Sequence, residues 1–145
     1  MNFHPDLVLH HLVALGLGAA IGLERQLRNH EAGLKTNALV SLGSALFVTM
    51  AYQFPDPGRI VAQILTGIGF LGAGMIMRDG LHVRGLNTAA TLWCSAAVGT
   101  LAGAGSYVAA SEAGVMILAA NITLRWVAKW VERSKGPDQE CEKSQ

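Results

Sequence analysis

Apolar residues run in long unbroken stretches along this chain, and the polar ones gather between them. No Asp, Glu, Lys or Arg occurs from Leu7 to Leu23, Thr36 to Pro55, Ile60 to Met77 or Gly85 to Ser111. A shorter run, Ala113–Leu124, follows an isolated Glu112. A bilayer-spanning helix takes about 17–25 mostly apolar residues, so each of the first four runs suffices. The longest contains Gly103-Ala104-Gly105-Ser106, where a turn would split it and make Tyr107–Leu124 a fifth span with Glu112 inside. The pattern predicts an all-α, polytopic integral membrane protein. Its five transmembrane helices lie over about 5–23, 37–54, 60–77, 86–103 and 107–124, in a domain covering 1–133. Residues 134–145, with Gly136-Pro137, read as a disordered cytoplasmic tail.

Composition supports the membrane over a soluble core. Of 145 residues, 14% are charged and 51% apolar, and mean hydropathy is +0.35. Almost no segment before Arg125 has a polar face with which to cover a soluble surface. The hydrophobicity excludes disorder, and two cysteines, Cys94 and Cys141, do not make a disulfide scaffold. A net charge of +1 gives no electrostatic footprint for nucleic acid. The first run lacks the basic flank of a signal peptide, since no Lys or Arg precedes Arg25, so it reads as a retained helix.

The few charges also orient the chain. Arg25, Arg28 and Lys35 follow the first span; Arg78 and Arg84 follow the third; Arg125, Lys129, Arg133, Lys135 and Lys143 follow the fifth. Only Arg59 falls on the other side. The positive-inside rule then places the N-terminus outside and the C-terminus in the cytoplasm. A four-span chain would separate the tail from the Arg25 loop, so the charge split supports a break near Gly103. Trp126 and Trp130 suit a helix leaving the bilayer at the headgroups. With Cys94 in a span and Cys141 in a reducing cytoplasm, no disulfide is expected between them.

Gly67-Ile68-Gly69-Phe70-Leu71-Gly72-Ala73-Gly74 contains a literal GxGxxG. A dinucleotide fingerprint needs a strand before it and a helix after it, whereas this one lies inside an apolar run. Close helix packing is the preferred reading, with a functional break in the third helix as the alternative. Gly18-x-x-x-Gly22 and Gly99-x-x-x-Gly103 are read as packing positions in the same way.

Polar residues within the spans fall into two layers. The outer layer holds His10, His11, Arg59, Gln63 and Glu112. His10 and His11 point about 100° apart on a helix and cannot share one partner. An intramembrane carboxylate is a functional candidate whose partner must be named; for Glu112 that partner is expected to be Arg59, with Gln63 one turn deeper. The inner layer includes Glu24, Arg25, Lys35, Thr36, Asn37, Arg78, Asp79, Arg84, Asn87, Thr88 and Thr91. Glu24 and Asp79 offer carboxylates to a hard divalent cation, but each adjoins an arginine, so salt bridges in cytoplasmic loops are preferred and the metal question stays open. Asn87, Thr88 and Thr91 form a polar stripe that Cys94 and Ser95 continue. It serves either interhelical hydrogen bonds or a recognition surface for another membrane protein.

Five segments carry a resemblance: Ile21–Gln26, Gly33–Val40, Arg59–Ile64, Gly67–Gly74 and Val83–Ala96. In order and nearly without gaps from Gly16 to about Arg125, the chain closely resembles the MgtC/SapB family of bacterial inner-membrane proteins. The resemblance implies a role in growth at low Mg²⁺ and survival within macrophages, exerted by restraining a membrane complex, the proton-translocating ATP synthase. It implies that Asn87 and Cys94 belong to a functional polar motif, and that Arg59, Gln63 and the glycines belong to the family signature. Many members carry a soluble C-terminal domain that does not follow here, which leaves roles requiring it in doubt. The expectation is a non-enzymatic regulator without cofactor, contacting its partner through Asn87, Thr88, Thr91, Cys94 and Arg84, with self-association left open. The competing expectation is a transporter or channel for magnesium or another cation, built on the glycine-rich third span with Arg59, Gln63 and Glu112.

Overall fold

A computed structural model describes residues 5–80 and 82–134, with the backbone alone at 5, 79, 132 and 134. It contains five helices: α1 (Pro5–Leu27), α2 (Leu34–Ala51), α3 (Pro57–Met75), α4 (Leu86–Gly103) and α5 (Tyr107–Ser134). Two short strands, β1 (Met77–Asp79) and β2 (His82–Arg84), join α3 to α4. The turn expected at Gly103–Ser106 lies where α4 ends and α5 begins. The expected tail, with Cys141, lies outside the described residues apart from the last residue of α5.

Local chemistry explains the helix ends. Asn29 adopts the left-handed conformation (φ 56°), and the His30 N–H reaches back to the Arg25 carbonyl at 3.1 Å, which closes α1. The Gln26 side chain accepts from the Leu34 N–H at 3.1 Å and starts α2. Asp56 caps α3 by accepting from the Arg59 N–H, with Pro57 in the first turn. The β1–β2 hairpin pairs Met77 with Arg84 and Asp79 with His82. Gly85 follows at φ 85°, where a Cβ would overlap the Met75 carbonyl.

Three helices form a close-packed seam. A Cβ on Gly18 would stand 2.7 Å from the Asn37 carbonyl, and one on Gly22 2.7 Å from the Gly33 carbonyl and the Leu34 Cα. On the other flank, a Cβ on Gly99 would overlap the Ser41 backbone, and one on Gly103 would lie 2.7 Å from the Ala45 Cα and carbonyl. The Asn37–Ser41–Ala45 ridge of α2 therefore lies between two GxxxG faces, antiparallel to α1 and parallel to α4. Close backbone approach through small residues is how helices associate where hydrophobic burial gives no drive. α4 is central: it packs on α1, α2, α3 and α5.

The glycines of α3 behave differently. The helix is continuous from Pro57 to Met75, so the expected alternative of a break is not realised. Close packing at this motif is not realised either. A Cβ at Gly67, Gly69 or Gly74 would meet nothing within 4 Å, and only at Gly72 would one reach a neighbour, Ala89 at 3.6 Å. α3 touches its neighbours along one side, and an open apolar groove of about 650 Å³ separates it from α2.

Large apolar side chains, among them Leu12, Phe47, Phe70, Trp93 and Met116, point outward, while Asn37, Ser41, Thr88, Thr91 and Ser95 are buried. This reverses a water-soluble interior and fits a protein solvated by lipid tails. α1, α2, α3 and α5 are each long and apolar enough to cross a membrane. α4 is not among those four; its 18 residues include Asn87, Thr88, Thr91, Ser95 and Thr100.

Candidate functional site

The polar residues that share space gather at the end of the bundle where α1 finishes and α4 begins. Arg25 sits in the last turn of α1, not in the loop expected from sequence, because the helix runs on to Leu27. It is 2% exposed. Its Nη2 donates to Thr88 Oγ1 of α4 at 2.7 Å, while its buried Nε has no acceptor among the described residues. Glu24, also in α1, forms an i,i+4 ion pair with Arg28.

Around these groups lies a cavity of about 310 Å³, lined by Glu24, Arg25, Arg28, His30, Asn87, Asn121 and Arg125, with Ala120, Leu124 and Ala128 of α5 completing the wall. Asn87, in the first turn of α4, is exposed at this cavity, and its carbonyl accepts from Thr91 Oγ1 at 2.9 Å. The Asn121 Nδ2 is buried without a partner among the described residues. The His30 imidazole is held below its ordinary pKa of 6.5, first by burial, then by Arg25 and Arg125, and less by Arg28. Glu24 acts in the opposite direction.

A second cluster ties the seam together. Asn37 is fully buried; its Nδ2 donates to the Ala32 and Gly33 carbonyls at 3.0 and 2.9 Å, and its Oδ1 accepts from Ser95 Oγ at 2.8 Å. Ser41 Oγ donates to the Ala14 carbonyl at 2.7 Å. One amide thus links the α1–α2 loop to α2 and α4.

The predicted polar stripe of α4 divides between two environments. Thr88, Thr91 and Ser95 face the bundle, Cys94 is half-buried, and Asn87 turns to the cavity. Arg84 is exposed on β2, and the Asp79 side chain lies outside the described residues. Among the described residues no group of three or more His, Cys, Asp or Glu converges on a metal position.

The outer-layer expectation for Glu112 is not met. α3 packs on α2 and α4, whereas α5 packs on α1 and α4. Arg59 and Glu112 are both exposed, and no ion pair joins them among the described residues. Gln63 is exposed in the α2–α3 groove. His10 and His11 do part as expected: His10 packs edge-on against Tyr107 of α5, and His11 reaches Thr49 of α2 at 3.1 Å.

Sequence reasoning missed Asn121 and the inward role of Arg125. Their i,i+4 spacing places them on one face of α5, a signal obscured by the basic residues that follow. The residues that build both polar clusters fall within 12–130, the stretch that matches the MgtC family model. The chain belongs to the MgtC family. Its resemblance to curated MgtC proteins is strong: 56% identity to Protein MgtC of Salmonella typhimurium over 128 residues, 87% of this chain and 55% of the relative. Protein MgtC of Brucella abortus is 54% identical over 119 residues, 80% of this chain and 50% of the relative. An uncharacterized protein of Synechocystis is 50% identical over 133 residues, 90% of this chain and 57% of that protein. The chain thus spans about half the length of these MgtC-family relatives. No solved structure matches it. MgtC membership and four apolar helices together identify a membrane protein.

Proposed function

We propose that this chain is a five-span protein of the bacterial inner membrane, N-terminus outside and C-terminus cytoplasmic, that acts without catalysis on a membrane complex. In this reading it supports adaptation to low magnesium and intracellular survival by restraining the proton-translocating ATP synthase. The carrying observation is the 56% identity to Protein MgtC across 87% of the chain. The open face of α3 and the groove beside α2 support binding over conduction, because they offer another membrane helix an apolar seat with backbone within reach. The cavity at the other flank carries three arginines and one carboxylate, a balance that repels a divalent cation.

Inverted membrane vesicles test the reading. ATP-driven proton pumping, followed with a quenching acridine dye, is expected to fall as the protein is added. Gly67→Leu, which fills the groove, is expected to relieve the inhibition. Unchanged pumping at full protein loading overturns restraint of the synthase. Flux of Mg²⁺ into dye-loaded liposomes containing the purified protein would establish transport instead. Single cysteines at Lys35 and Ser106, with Cys94 and Cys141 replaced, are expected to label from opposite sides; labelling from one side overturns the five-span topology.

A further inference from the structure

We infer that the cavity between the ends of α1, α4 and α5 is a binding site for a phosphate-class oxyanion. Three observations converge there. First, the charge is unbalanced: Arg25, Arg28 and Arg125 line the cavity against one carboxylate, Glu24, which is already engaged by Arg28. Second, Arg25 is 2% exposed, yet no carboxylate pairs with it among the described residues, and its buried Nε–H lacks an acceptor. A guanidinium can only donate, and a buried donor without an acceptor is costly. The Arg25 guanidinium therefore places an uncompensated charge at the cavity wall, which an incoming oxyanion offsets. Third, the cavity holds about 310 Å³, room for roughly ten waters, which admits a phosphate group with part of its hydration.

The wall favours phosphate over a bare halide. Arginine forks match tetrahedral and planar oxyanions with paired hydrogen bonds, and Asn87, exposed at the cavity, adds an amide to its lining. Leu124 and Ala128 make one side apolar, so the phosphate can arrive free or as the headgroup of a lipid whose chains lie along α5. The site requires no partner protein and therefore stands apart from the regulatory reading. His30, whose pKa is lowered first by burial and then by Arg25 and Arg125, lies beside the same positive charges.

The test uses the whole chain, purified in detergent and stripped of phospholipid, with thermal unfolding as readout. Inorganic phosphate is titrated against chloride at equal ionic strength, and phosphatidylglycerol is compared with phosphatidylcholine in mixed micelles. Saturable stabilisation by inorganic phosphate assigns a free anion; stabilisation by phosphatidylglycerol alone assigns a lipid headgroup; either supports the site. Arg125→Gln is expected to weaken the response about tenfold or more, and Arg28→Gln to weaken it as well. Lys129→Gln, which removes an equal charge outside the cavity, is expected to leave it intact. Equal effects of phosphate and chloride without a response to phosphatidylglycerol, or a response undiminished in both arginine variants, overturn the proposal.

Discussion

The α1–α2–α4 seam and helix α3 are both rich in glycine, but the seam sets its glycines against neighbouring backbone, whereas in the α3 motif only Gly72 faces a neighbour. At Gly18, Gly22, Gly99 and Gly103 an added methyl group would meet the backbone of a neighbouring helix; at Gly67, Gly69 and Gly74 it would meet nothing. The same residue type therefore records two different constraints. In the seam it sets the distance between helices. On α3 it leaves the backbone bare at Gly67, Gly69 and Gly74, where no part of the described chain would touch an added methyl group. A glycine motif in an apolar run specifies the possibility of close approach and leaves the partner unspecified.

The sharpest way to break this comparison is to add the same methyl group on both sides. Gly99→Ala forces a Cβ into the Ser41 backbone and is expected to cost about 3 kcal/mol, read by denaturant unfolding in mixed micelles. Asn37→Leu removes the amide that joins the loop, α2 and α4, and is expected to cost about 2 kcal/mol. A double-mutant cycle with Ser95→Ala should show clear coupling between the two; additivity would deny the hydrogen bond a role. Gly69→Ala is expected to be neutral or to stabilise by about 0.5 kcal/mol, since the helix gains propensity and nothing is displaced. A loss at Gly69 as large as that at Gly99 would erase the distinction.

The smallest effect concerns pH. His30, facing Glu24, Arg25 and Arg28 of the α1 end and Arg125 of α5, has a folded pKa below its ordinary 6.5. As pH falls through 6.5 the unfolded chain takes up a proton that the folded chain refuses, so stability declines. The decline ends once pH passes below the folded value. Comparing the pH dependence of unfolding in the wild type and His30→Gln isolates this contribution, which should disappear in the variant.

Much of this architecture was legible in the spacing of charges. The charge-free runs located all five helices, and Gly103–Ser106 marked the turn between the last two, because both follow from local rules. The end of α1 was not legible: Glu24 and Arg25 read as loop residues because charge ordinarily stops a span, yet Arg25 is buried by its bond to Thr88, 63 positions away. The β1–β2 hairpin carried no alternation, since β2 is exposed throughout. The expected Arg59–Glu112 pair failed because depth in the bilayer was read from sequence while the neighbours of each helix were not. The same limitation hid the cavity, whose wall is drawn from α1, the following loop, α4 and α5.

α4 shows how a polar helix can sit among apolar ones. It is the helix in contact with all four others, and among the described residues it is the one helix outside the four that are long and apolar enough to cross a membrane. In a five-span arrangement its buried Thr88, Thr91 and Ser95 are shielded from lipid by its own chain. The face that α1 and α2 present receives two of them, Thr88 through Arg25 and Ser95 through Asn37, so the first two helices give the fourth its polar company.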